Sequence, residues 1–151
     1  MDAFAVQFNR MLEETFAYVM KVEQSMLKKS TRIDLTINEM HVLEAVGREE
    51  DCTISSLAED LEVTLPSVTV SVNRLRKKGY VEKIRCSQDK RRVFVRVTRQ
   101  GKKINAVHRY FHENMARTVL RELSDEERAA MLKGMGKVNG FLKRKLEAAD
   151  G

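Results

Sequence analysis

Residues 53 to 101 constrain the fold more tightly than any other part of this chain. They read TISSLAEDLEVTLPSVTVSVNRLRKKGYVEKIRCSQDKRRVFVRVTRQG. Two short helical patterns lead to a Gly stop, a β-rich run, a turn loaded with Arg and Lys, and a second β-rich run. That order is a helix-turn-helix followed by a hairpin wing. It sets one helix and one basic hairpin on a common face, a shape that grips duplex DNA. Charge follows the same boundaries. Residues 53 to 103 hold 13 Lys and Arg against 5 Asp and Glu, a net of +8, while the remainder of the chain carries −2. The basic character is local, as a phosphate-binding surface requires. A solvated basic face with no partner is the bland alternative, and the helix-turn-helix pattern underneath argues against it.

The flanking patterns are helical. Phe4, Phe8, Met11, Thr15, Val19, Val22 and Met26 recur at three and four across residues 2 to 29. A second helix opens at Thr36 with Glu39 three residues on, a capping box, and runs through Met40, Leu43 and Val46 to Gly47. A third covers Ser55 to Leu61, with Leu57, Ala58 and Leu61 inward. Thr64 caps the fourth. Pro66 sits in its first turn, where a missing N–H costs little, and Gly79 ends it in the left-handed conformation. Val68, Val72 and Leu75 make its buried face. Pro66, Val70, Asn73 and Lys77 then point the opposite way, with Ser67, Thr69 and Arg74 on the flanks. An exposed Val among hydroxyl and amide side chains suits a major groove, where apolar groups meet thymine methyls and Asn can read adenine.

Tyr80 to Cys86 and Val93 to Val97 form the wing around SQDKRR. Lys90, Arg91 and Arg92 repel one another at a tip unless a polyanion is present. An Arg there suits a narrow minor groove, and Asp89 is placed to hold the Arg91 guanidinium. Thr98 caps a helix from about Lys102 to Arg121, striped by Ile104, Val107, Phe111, Met115 and Val119. Ser124 and Glu127 cap a last helix carrying Leu132, Met135, Val138, Leu142 and Leu146.

The expected fold class is mainly α with a small β-hairpin wing. A lobe at 36–101 carries the winged helix-turn-helix, and helices at 1–33 and 102–151 form a dimerisation region. Their apolar stripes lie at opposite ends of the chain and are most economically covered by a second copy. A symmetric homodimer then sets two recognition helices roughly 34 Å apart, one DNA turn. A monomer packing its terminal helices on its own core is the alternative.

At 151 residues the chain is expected to be a single domain. With no membrane-length apolar run and no signal pattern at its start, it is expected to be cytoplasmic, with no membrane partner. Cys52 and Cys86 lack metal-pair spacing and fit reduced, inert thiols, with a redox switch as the lesser reading. No phosphate loop, nucleophile motif or carboxylate pair points to an enzyme, and no cofactor is required. A winged helix used for protein contacts would favour an uncharged or acidic face, and this one is basic.

SLAEDLEVTLPSVTVSVNRLRKKGYVEK, the wing DKRR with its D-x-R element at Asp89 and Arg91, and the closing VTRQGKK together resemble the MarR family of winged-helix repressors over nearly the full length. The resemblance implies a dimer joined through its terminal helices, with DNA contacts from Ser67, Thr69, Asn73, Arg74 and Arg91. In many members small molecules release the DNA. Within the family, INEMHVLEAVG, EVTLPSVTVSVNRLRKKGYVEKIR, QDKRR and HRYFHENM are most similar to the FabT-type repressors of fatty-acid biosynthesis genes. That similarity implies long-chain acyl-acyl carrier protein as co-repressor, with Phe16, Met20, Met40 and Phe111 supplying apolar surface for the chain. Pro66 stands where that group carries Gly. A rival resemblance, to zinc-responsive repressors of metal uptake, rests on Glu23, His41, His108 and His112. His108 and His112 have i, i+4 ligand spacing. The second metal site of those proteins is not matched, since Met40 and Val107 stand there. Hydrogen bonding by these His is the bland alternative.

Overall fold

Three helices and a hairpin are built around a core drawn from short segments, and local caps decide where each begins. The computed structural model describes residues 2–29, 33–87, 89 and 92–149. Among these are α1 (Ala3–Lys29), α2 (Ile37–Val46), α3 (Ile54–Asp60), α4 (Leu65–Lys77), β1 (Val81–Arg85), β2 (Val93–Val97), α5 (Arg99–Arg121) and α6 (Asp125–Ala149). The fold class is the expected one, mainly helical with a two-stranded wing.

Thr36 and Glu39 form the reciprocal capping box of α2: Thr36 Oγ1 accepts from the Glu39 N–H, and the Glu39 carboxylate accepts from the Thr36 N–H at 2.9 Å. Thr53 and Ser56 make the same exchange, so α3 starts at Ile54, one position before the expected Ser55. Thr64 caps α4 with Pro in its first turn, and Gly79 closes it with φ +78°. Thr98 is the true cap of α5. Its hydroxyl accepts from the Gly101 N–H at 3.1 Å and donates to the Gly79 carbonyl at 2.7 Å, which starts the helix at Arg99 instead of Lys102.

The chain divides into two compact units, residues 1–107 and 108–151, with the boundary inside α5. In the first unit Met40, Leu43 and Val46 of α2 pack with Leu57 of α3, Val68, Val72 and Leu75 of α4, Val81 and Val95 of the wing, and Ile104 of α5. Each such side chain contributes about 1.5–3 kcal/mol through its removal from water. The α4 face matches the sequence periodicity residue for residue. Along α1 only Glu23 and Leu27 are buried, and the stripe containing Phe4, Phe8, Met11 and Val22 is exposed.

The wing strands are antiparallel, with Lys83 opposite Val95 and Ile84 opposite Phe94. Residues 51 and 52 fasten the wing to the lobe. The Val95 N–H donates to the Cys52 carbonyl at 2.7 Å, the Cys52 thiol donates to the Val95 carbonyl at 3.2 Å, and Arg96 meets Asp51 at 2.6 Å. In the second unit Ser124 and Glu127 complete the expected box, and Arg128 Nε donates to the Leu120 carbonyl at 2.9 Å, closing the turn into α6. No residue of α6 is buried, and Leu132, Leu142 and Leu146 lie open.

Candidate nucleic-acid interface

The outward face of α4 follows from its inward one. With Val68, Val72 and Leu75 buried, the helical repeat leaves Pro66, Ser67, Val70, Arg74 and Lys77 exposed, and Thr69 and Asn73 half-exposed. The surface is cationic toward its C-terminal end and small and apolar toward its start, where Leu65 and Val70 are each about half exposed. A major groove presents hydrogen-bonding edges and thymine methyls together, so it accepts both kinds of side chain.

Several of these groups already have partners. The Ser67 and Thr64 hydroxyls lie 2.8 Å apart. Thr69 Oγ1 donates to the Leu65 carbonyl at 2.8 Å, spending its proton inside the helix and keeping only acceptor capacity. Asn73 Oδ1 accepts from Lys83 Nζ at 2.9 Å. Lys83 is a neighbour of this face that the motif reading passed over. Its signal was the strand alternation: Lys83 lies two residues from buried Val81, so it shares the face of β1 turned toward the lobe.

At the wing, Cys86 donates its N–H to the Arg92 carbonyl at 2.9 Å, and Arg92 donates its own to the Asp89 carbonyl at 3.0 Å. The exposed Arg92 guanidinium lies 5.6 Å from the Phe94 ring centroid, a cation–π arrangement that keeps the charge beside the strand. Asp89 is exposed. Lys90 and Arg91, and with them the expected Asp89–Arg91 pairing, lie outside the described residues.

In the first unit His41 Nε2 lies 3.4 Å from Glu23 Oε1, the carboxylate buried and the imidazole half-exposed. In the second, the Nε2 atoms of His108 and His112 are 3.1 Å apart and their rings meet edge-on. Of the apolar effector residues, Phe16 is exposed, Met20 and Phe111 are half-buried, and Phe111 meets the His112 ring at 5.2 Å. Met40 has no exposed surface. It belongs to the core of the first unit because it lies on the buried side of α2 with Leu43. A cavity of about 270 Å³ opens between α2 and α4, with Asn38, His41, Ser67 and Ser71 as polar walls and Val42 and Val68 as apolar ones. The four effector candidates are not among its lining residues.

Comparison with known proteins matches this arrangement. Residues 33–92, which hold the helix-turn-helix and the first wing strand but not the second, fit the model of the MarR family. The crystal structure of Streptococcus pneumoniae FabT in complex with DNA is 36% identical, with 93% of this chain and 98% of that one superposed at a TM-score of 0.88. The Bacillus subtilis HTH-type transcriptional regulator YfiV is 30% identical over 119 residues, 78% of this chain and 71% of that protein. YhjH, a second B. subtilis regulator of this type, is 31% identical over 87 residues, 58% of this chain and half the length of that relative. With the winged lobe, the exposed α4 face and these identities in agreement, the chain belongs to the MarR family of helix-turn-helix regulators.

Proposed function

We propose that this protein is a homodimeric, operator-binding transcriptional repressor of fatty-acid biosynthesis genes, and that long-chain acyl-acyl carrier protein strengthens its grip on DNA. The observation that carries DNA binding is the α4 face: Val70 and Lys77 stand exposed opposite the buried Val68, Val72 and Leu75, with Ser67 and Arg74 exposed on its flanks. Arg92 on the wing is exposed, and Lys90 and Arg91 precede it in the sequence with two more positive charges. Dimerisation is supported by the open apolar stripes on α1 and α6, each of which leaves large side chains such as Phe4, Phe8, Leu132 and Leu146 in water. Stripes of that size are covered in stable proteins. The fatty-acid reading rests on the similarity to FabT-type sequences and on the 36% identity to the FabT chain.

To act as a co-repressor, the acylated carrier must bind the DNA-competent form better than other forms, since equal affinity shifts nothing. Carrier proteins are acidic as a class, and the net +6 of this chain favours the encounter.

Zinc is the second reading, favoured by the His108–His112 pair. Two imidazoles on one tetrahedral zinc at about 2.0–2.1 Å stand roughly 3.3 Å apart, close to the 3.1 Å between these nitrogens. Operator binding titrated in metal-free buffer with acyl-carrier protein, carrier protein alone, and zinc separates the readings. A gain from the acylated carrier alone supports the proposal. A gain from zinc alone, abolished in His108→Ala, replaces it with the metal reading. DNA binding that stays insensitive to all three removes both effectors and leaves the repressor. Weak binding that does not fall steeply with salt would count against DNA as the partner.

A further inference from the structure

The amide of Asn73 is oriented by Lys83, and this orientation bears on which base it reads. The inference rests on the reading of α4 as the recognition helix. Lys83 Nζ lies 2.9 Å from Asn73 Oδ1, with both side chains half-buried. An ammonium carries three donors and no acceptor, so it can only meet the oxygen of the amide. The two N–H donors of Asn73 are therefore turned away from Lys83. Reading adenine requires both ends of the amide at once: Oδ1 accepting from N6 and Nδ2 donating to N7. Here the oxygen is held in a charge-assisted bond, roughly twice as strong as a neutral one. Adenine must share that oxygen with the ammonium through its second lone pair and take up an amide orientation that Lys83 already fixes. Guanine, with acceptors at N7 and O6, and thymine, with an acceptor at O4, need only the donors that remain.

We propose that Lys83 is a specificity-positioning residue, which draws the oxygen of Asn73 toward the wing, presents its donors outward and so favours guanine or thymine over adenine. Lys83 reaches the groove through Asn73, so its effect appears in base preference before it appears in overall affinity.

The test is selection of duplexes from a randomised pool by the full-length protein at fixed salt, with the Asn73-dependent position identified as the one whose preference disappears in Asn73→Ala. The wild type is expected to enrich guanine or thymine there by roughly five- to a hundredfold, the range of one good base-edge contact. Lys83→Met keeps the aliphatic stem but removes the charge, and it should move that position toward adenine. Lys83→Arg, which still donates, should retain the wild-type preference. Asn73→Asp keeps the pairing to Lys83 but has no outward donor, so it should lose the guanine or thymine preference even if the Met variant folds poorly. Enrichment of adenine by the wild type, an unchanged preference in Lys83→Met, or no position sensitive to Asn73→Ala would each overturn the assignment while leaving DNA binding intact. A wild type that enriches no duplex overturns the operator-binding reading itself, and this inference falls with it.

Discussion

Glu39 and Lys78 are joined across the helix-turn-helix by a 3.0 Å ion pair, with the carboxylate only 3% exposed. Glu39 lies in the first turn of α2 and Lys78 is the C-cap of α4, so the pair ties the end of α4 to the start of α2. The same ammonium donates to the Asp34 carbonyl at 2.8 Å. Burial raises the Glu39 pKa, but the Thr36 N–H and the Lys78 ammonium outweigh it and hold the group below its ordinary value of 4.5.

A depressed carboxylate pKa means that the unfolded chain takes up the proton first as pH falls. The stabilisation is therefore present above about pH 4.5 and is lost as pH drops through the lower folded value. Glu39→Gln should cost roughly 2 kcal/mol at pH 7, in line with a hydrogen bond to a charged group. It should also flatten the acid limb of stability against pH. Urea unfolding of wild type and variant from pH 3 to 7 measures both.

Gly101 is required by a close approach. A Cβ there would overlap the Tyr80 carbonyl oxygen and lie 2.6 Å from Val97 Cγ1, and the main chain of Tyr80 has little room to yield. Gly101→Ala should therefore destabilise by about 1–3 kcal/mol, although Ala is the better helix former. A thermal melt that shows the variant equal to the wild type would contradict the packing of α5 against the wing.

Glu62 occupies the turn before α4 with φ +52°, a conformation that costs a residue with a Cβ. The Val63 N–H reaches back to the Ala58 carbonyl at 3.1 Å, so the turn is held by the backbone and does not depend on the Glu side chain. Glu62→Gly should raise stability by roughly 0.5–1 kcal/mol, part of the relief being offset by the freer unfolded chain. Chemical denaturation of the variant gives the sign directly.

Lys77 is exposed near the end of α4. As a phosphate contact it should set the salt dependence of binding and leave sequence preference alone. Lys77→Ala should reduce the slope of log affinity against log salt by about 1 per subunit, while the rank order of operator variants stays the same. A changed rank order would make Lys77 a base reader.

The two thiols should differ in reactivity. Cys52 is buried, and burial pushes its pKa up, with the nearby Glu49 and Asp51 charges acting in the same direction. Cys86 is partly exposed. A thiol-specific reagent at pH 8 should label Cys86 in the native protein and Cys52 only on unfolding. Because the folded pKa of Cys52 is raised, its contribution to stability is complete below the unfolded thiol value, about 8.5. It declines as pH rises through the folded one.

The local features of this protein were legible in its sequence. Thr36 with Glu39, Thr64 with Pro66, Gly79, and Ser124 with Glu127 mark helix ends because capping is decided by residues three or four apart. The buried Val68, Val72 and Leu75 were equally readable, since helical periodicity alone assigns the face and with it the opposite, exposed one. Tertiary structure decided what depends on distant segments. Lys83 reaches Asn73 because the wing folds back beside α4, and Lys78 reaches Glu39 only once α2 and α4 have packed. Met40, an apolar residue of suitable chemistry for a ligand pocket, became core for the same reason. Periodicity says which side of a helix is inside. Which side chain meets which polar group depends on how the packed elements bring remote residues within hydrogen-bonding distance.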